Sequence, residues 1–120
     1  MPADEIQLAH EGVWHTVCRY DDLLPGRGVA VLLHGEQVAL FRDRRGGLYA
    51  VQNYDPFSDA HVISRGITGS RGDVPVVFSP MYKQAFDLRT GACLDEESAP
   101  DDTSVRLLVW PVRPAPSASR

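Results

Sequence analysis

At 120 residues the chain is sized for one domain, and a hydrophobic content of 43% supports a packed core. Twelve basic against sixteen acidic residues give a formal charge of −4, which excludes the basic face that binding to nucleic-acid phosphates requires. No apolar run approaches the roughly 18 residues of a membrane helix, and the acidic start MPADEIQLAHEG lacks the basic-then-apolar order of a signal peptide, so a cytoplasmic protein is expected.

In chain order, residues 1–11 are polar and are expected to be flexible. Trp14–Tyr20 is rich in β-forming residues, and Tyr20–Leu24, with Asp21 and Asp22 near its start, is the best candidate for a helical turn. VAVLL (Val29–Leu33) and QVALF (Gln37–Phe41) flank the short Gly-containing turn HGE, which is a hairpin signal. RRGG (Arg44–Gly47) is the next turn and LYAVQN (Leu48–Asn53) the next strand. After a long Gly/Ser/Arg-containing section come VPVVF (Val74–Phe78), AFDL (Ala85–Leu88), a turn at Arg89–Gly91 and ACL (Ala92–Leu94). The acidic loop DEESAPDD (Asp95–Asp102) leads to RLLVWPV (Arg106–Val112), where Pro111 suggests a strand end or an edge. The tail from Pro114 to Arg120 is Pro/Ser/Ala-rich and is expected to be disordered. No segment of ten or more residues carries a strong 3.6-residue period. The expectation is one all-β domain over residues 12–113, a small sandwich or partly closed barrel of stacked antiparallel hairpins.

The usual catalytic constellations are missing. There is no GxSxG, no GxxxxGK[ST], and no cysteine beside a histidine. PGRGVA (Pro25–Ala30) has two spaced glycines and reads as a plain turn. The paired acids Asp21/Asp22 and Glu96/Glu97 read as solvated loop charge, and the tripeptide Arg71–Asp73 (RGD) carries little information. Cys18 and Cys93 form no CxxC or CxH pattern and read as small buried hydrophobes. The histidines His10, His15, His34 and His61 are scattered, with no pair spaced for one helix face, and no metal site is expected from them.

Two loops remain. NYDPFSDAH (Asn53–His61) follows the strand LYAVQN, and SPMYKQAF (Ser79–Phe86) follows VPVVF. Each has a proline at the same place relative to its strand, preceded by a small polar residue, and Ser58–Phe78 separates the two motifs by 21 residues. This frame, with the trailing FDLRTG (Phe86–Gly91), resembles a Rieske-type iron–sulfur domain. Such domains hold a [2Fe–2S] cluster between a Cys-x-His loop and a Cys-x-x-His loop. On that resemblance the two cysteine positions fall on Asp55 and Ser79, and the two histidine positions on Phe57 and Tyr82. A set without thiolate or imidazole cannot hold a Rieske cluster, so no metal or cofactor is expected in this chain.

Longer stretches sharpen the likeness. Tyr20–Arg42, Tyr49–Asp95 and the closing VWPVR look like the small subunit of assimilatory NAD(P)H-dependent nitrite reductase. Its most specific pieces here are N-x-DPFS-x-A, SRGI-x-G-x-RG and YKQ-x-F-x-LRTG-x-CLD. The resemblance covers about residues 14–113. It implies a Rieske-like fold without a cluster and no catalytic residues of its own. It also implies a large-subunit partner that carries FAD, an iron–sulfur cluster and sirohaem and reduces nitrite to ammonium with NADH or NADPH.

The loop tips then read as contact groups. Asp55 and Lys83 are opposite charges expected on neighbouring tips, as a surface pair or as part of an interface. Phe57 and Tyr82 either fill the volume a cluster would take or offer apolar surface to the partner, and the two are compatible with Phe57 inward and Tyr82 or Met81 outward. Met81, Tyr82, Lys83, Arg65 and Arg71 are the candidate interface. The two arginines are either solvated beside turn glycines or a basic edge facing an acidic partner or nucleotide phosphates. The competing readings are a Rieske electron-transfer ferredoxin and a stand-alone β-sandwich binding module.

Overall fold

A computed structural model of the chain describes residues 5–81, 84–95 and 106–115. Its strands, in order, are β1 (Glu5–His10), β2 (Val13–Arg19), β3 (Gly28–Leu33), β4 (Glu36–Arg42), β5 (Leu48–Gln52), β6 (Tyr54–Asp55), β7 (Ala60–His61), β8 (Ile67–Arg71), β9 (Val74–Phe78), β10 (Ala85–Asp87) and β11 (Val112–Pro114). Single 3-10 turns lie at Tyr20–Asp22 and Ile63–Arg65. The strands form three antiparallel three-stranded sheets, ordered β11-β1-β2, β3-β4-β5 and β10-β9-β8, with β6 and β7 as a separate small pair. The fold is all-β, as the hairpin pattern predicts, and the sheets stay open. No helix of the described residues is long and apolar enough to cross a membrane.

β4 sits in the middle of its sheet and is buried on both faces. Val38 and Leu40 pack on one side with Ile6, Leu8, Leu23, Leu33 and Ala50. Ala39 and Phe41 pack on the other with Val51, Ile63, Val77, Phe86, Leu88 and Leu107. Alternation along a strand sends successive side chains to opposite faces, so the single run VALF feeds two cores. The second core carries the two loops of interest, because β5 ends at one of them and β9 at the other.

Residues 5–10, expected to be flexible, instead form β1. Ile6 and Leu8 are fully buried, and β1 pairs with both β2 and β11. The alternation Ile6–Leu8 and the turn Glu11–Gly12 were present in the sequence, and polar neighbours masked them. β8 was also hidden, since ITGSR is mostly exposed and holds one large apolar residue. The expected strand Arg106–Val112 is only partly regular. It runs beside β5 through the bridge Val51–Val109 and the bonds Gln52 N–H to Leu108 O and Trp110 N–H to Ala50 O, then joins β1 as β11. Of the tail expected to be disordered, Pro114 belongs to β11 and Ala115 donates to the Glu5 carbonyl; residues 116–120 lie outside the described residues. Burial, with Asp22 adding to it, pushes the Cys18 thiol up to about 11, so it is an unreactive side chain, and Cys93 is likewise a free, partly buried cysteine.

The FDLRTG run is a built turn. The Asp87 carboxylate accepts from Arg89 N–H at 2.8 Å and from the Arg89 guanidinium at 3.2 Å. Gly91 N–H donates to the Asp87 carbonyl at 2.7 Å, and Leu107 N–H donates to the Gly91 carbonyl at 2.8 Å. Gly91 has φ +81, and a Cβ there would collide with the Leu107 carbonyl. Gly91→Ala is therefore expected to cost at least about 2 kcal/mol, from the left-handed backbone plus the forced shift of the 106–108 segment. Urea unfolding at fixed m-value is the measurement; a change within about 0.5 kcal/mol of the parent would show that the turn relaxes freely.

Candidate functional site: two proline loops joined by a buried hydrogen bond

The first loop leaves β5 at Asn53, which is 2% exposed and fully used. Its side-chain amide donates to Gln37 Oε1 at 3.0 Å and to the His61 carbonyl at 3.3 Å, and its side-chain oxygen accepts from Ser64 N–H at 2.7 Å. Its backbone bonds Gln37 O and Ile63 N–H. One side chain thus fixes both ends of the loop against β4. A short polar residue that can both donate and accept is what such a corner requires.

Asp55 follows in β6, paired with Ala60, and the proline after it holds it extended. It is completely buried. One carboxylate oxygen accepts from Phe57 N–H at 2.9 Å, a turn made by the side chain over Pro56. The other accepts from the Ser79 hydroxyl across the loop boundary. Ser79 is also completely buried, and its oxygen accepts from Met81 N–H at 3.2 Å, the same turn over Pro80. Backbone bonds close each loop, Asp59 N–H to Asp55 O at 2.8 Å and Ser79 N–H to Gln84 O at 2.9 Å. The two residues that the Rieske resemblance assigns to the cysteine positions are therefore bonded directly to each other.

Phe57, at the first histidine position, is turned inward. It packs on the core with its ring centroid 6.1 Å from that of Phe86. Met81 points out and is 56% exposed. Tyr82, at the second histidine position, and Lys83 lie outside the described residues. The expected Asp55–Lys83 surface pair is corrected: Asp55 has no exposed surface, because its carboxylate is drawn into the loop junction by two donors, the Ser79 hydroxyl and the Phe57 backbone N–H. Arg65 is exposed and forms no ion pair among the described residues. Arg71 is held by Asp95 at 2.8 Å, and the same carboxylate accepts from Ala85 N–H at 2.7 Å. That contact ties the end of β8 to the start of β10. The Arg71 side chain, then the Ala85 N–H, hold the Asp95 carboxyl below the usual carboxylate range.

The residues at the ligand positions do not fit a cluster. A carboxylate already bonded to a hydroxyl and a phenyl ring packed in the core offer no soft donor to iron. Among the described residues no three metal-ligating side chains aim at a common point.

Comparison with known proteins agrees with this geometry. Residues 13–118 match the family model of the Rieske-like [2Fe–2S] domain. A nitrite reductase (NADH) small subunit of Salmonella typhimurium is 44% identical over 85 residues, which span 70% of this chain and 79% of that protein. The chain belongs to the nitrite reductase small-subunit family. A crystal structure titled as an NADH-dependent nitrite reductase small subunit from Mycobacterium tuberculosis superposes with a TM-score of 0.74 at 55% identity, covering 84% of this chain and 85% of that one. A nitrite reductase [NAD(P)H] large subunit of Klebsiella oxytoca is also similar, 38% identical over 102 residues that make up 83% of this chain and 10% of that protein. The chain is thus a subunit of an oxidoreductase and carries a Rieske-like domain.

Two outcomes follow for this site. Ser79→Ala and Asp55→Ala should each cost about 1–3 kcal/mol, because each leaves a buried polar partner unpaired. The double variant should cost clearly less than their sum, and additive losses in urea unfolding would show that the two side chains do not depend on each other. The second concerns acid. Asp95 is held below its usual value of 3.8 in the folded chain, so its contribution is complete above that pH and is lost as pH falls through the folded value. Arg71→Gln should flatten the fall in the urea midpoint between about pH 5 and pH 3, and an unchanged slope would rule out the ion pair as its source.

Proposed function

We propose that this chain is the small, non-catalytic subunit of an NAD(P)H-dependent nitrite reductase acting in the cytoplasm in nitrate and nitrite assimilation. Its partner would be the large subunit, carrying sirohaem, an iron–sulfur cluster and FAD, and the assembly would reduce nitrite to ammonium. One observation carries the reading: Asp55 and Ser79, which the Rieske resemblance assigns to the two cysteine positions, are hydrogen-bonded to each other. Without thiolate or imidazole at those positions to hold a cluster, the chain acts through shape and contact.

The Klebsiella relative supports the partnership, since a large-subunit chain there contains a stretch similar to this domain. Two parts carried on one chain meet at a high effective concentration, which favours partners that work side by side. The proposed contact is the second loop, with exposed Met81 and the Tyr82 and Lys83 that follow it in sequence, together with exposed Arg65 and with Arg71, which is paired to Asp95. Exposed apolar surface combined with basic side chains fits an acidic-rimmed apolar patch on the partner.

Co-purification of the tagged chain with the large subunit tests the assembly. Flavin and sirohaem absorbance should come down with the chain and be absent from the chain alone. Nitrite reduction by the isolated chain, or failure to bind the large subunit, would sink the proposal, and a brown chain with a Rieske EPR signal would favour the ferredoxin reading. Met81→Asp and Arg65→Glu should each weaken association by about tenfold or more. Full affinity in both would move the interface away from this tip.

A further inference from the structure

An open sheet ends in strands that pair on one side only, and β8 is such a strand. Its outward groups follow from the bonds of its neighbour. Beside β10, Ser79 N–H donates to the Gln84 carbonyl and the Pro75 carbonyl accepts from Leu88 N–H, so the odd-numbered residues along β9 face β10. Alternation turns Val74, Val76 and Phe78 toward β8, where they meet Arg71, Gly69 and Ile67. The N–H and C=O groups of Thr68 and Ser70 then point away from the sheet, and no backbone group outside it bonds them among the described residues. Strand edges are usually blunted by lysine, proline, a bulge or an inward charge. The run ITGS (Ile67–Ser70) has none of these, and its register with β9 is unbroken. Ile67 is 70% exposed, and the Phe78 ring lies over Gly69, 3.1 Å from where a Cβ would stand. Arg71, the charge that ends the strand, is already paired with Asp95.

We propose that β8 is the contact between two copies of this chain, paired antiparallel about a twofold axis at Gly69. The strand is complementary to itself in that register. Thr68 of one copy exchanges both backbone bonds with Ser70 of the other, and Ser70 with Thr68, which satisfies the outward groups of both residues on both chains. The odd-numbered residues share a face. Gly69 meets Gly69 of the second copy, Ile67 meets the aliphatic stem of the second copy's Arg71, and Arg65 comes opposite the second copy's Asp73. Arg65 and Asp73 are both exposed and make no ion pair within the chain among the described residues. Charge selects the register. The neighbouring registers with the same bonding pattern set Arg65 against Arg71 or Ile67 against Asp73, and neither forms an ion pair. The product is a single sheet in which β10-β9-β8 continues into β8-β9-β10 of the second copy.

The full chain is tested alone, because Arg65 also belongs to the large-subunit contact proposed above. Sedimentation is followed against concentration in about 0.15 M salt, where a Debye length of about 8 Å screens the repulsion between two chains of charge −4. A monomer–dimer equilibrium with a dissociation constant of about 1–100 µM is expected, since one strand edge buries less area than a standard interface. Ser70→Pro removes an N–H that points away from β9 and should weaken the dimer at least about tenfold. Arg65→Asp and Asp73→Arg should each weaken it about threefold or more, and combining them should recover it, which guards against a folding defect in Ser70→Pro. A chain that stays monomeric up to about 500 µM, parent-like dimerisation by Ser70→Pro, or no recovery in the combined reversal overturns the proposal. A monomer whose binding to the large subunit is lost in Ser70→Pro also overturns it and gives the edge to that subunit.

Discussion

The burial of β4 on both faces is the constraint around which the rest of the fold is arranged. A strand with one wet face needs one layer of cover, and VALF needs two. One layer comes from β1, from Leu23 after the first 3-10 turn, and from Leu33 and Ala50 within the strand's own sheet. The other comes from β9, β10 and the segment around Leu107. The second layer decides where the site lies. Val77 and Phe86 belong to it and flank the second loop, and Val51 belongs to it just before the first. Covering one face of β4 therefore brings two loops together that are far apart in the chain.

Bringing the loops together leaves a polar problem at their junction. Both begin with a residue before a proline, and both need a local acceptor to hold the turn. A side chain in each supplies it, Asp55 to Phe57 N–H and Ser79 to Met81 N–H. Those same two side chains are sealed from water and need partners of their own. They find each other, which satisfies the hydroxyl proton and the second carboxylate oxygen in one contact. Phe57 then closes the inner side against Phe86, and Asn53 anchors the first loop to β4. Asp55, Ser79 and Asn53 each have their partners, which is the condition under which buried polar groups specify one geometry, while Ser58 Oγ in the first loop is buried without a partner among the described residues.

Much of this was legible in the sequence. Alternating apolar runs and Gly turns located β3, β4, β5 and β9, and the paired x-Pro loops are the two that the structure brings together. The losses have physical causes. β1 carries its two core residues between polar neighbours, and β8 gains its place from backbone pairing with β9, which leaves no apolar signature. Asp55 looked like a surface anion because a charged residue on a loop usually is one. Its burial depends on Ser79, and no local pattern reports a partner on another loop.

Joining two loops by a hydrogen bond instead of a cluster changes what the loops can respond to. A Rieske centre joins its loops through metal–ligand bonds, and its charge changes with each electron. Loops joined that way feel the redox state in the contact that shapes them. The Asp55–Ser79 bond has no redox state, so the tip carrying Met81 is held the same way whatever the electron occupancy of a neighbouring protein. For a subunit proposed to act by contact, that is a functional property and not only a loss. A surface that must fit a partner throughout a multi-electron reduction is best shaped by bonds that the reaction does not touch.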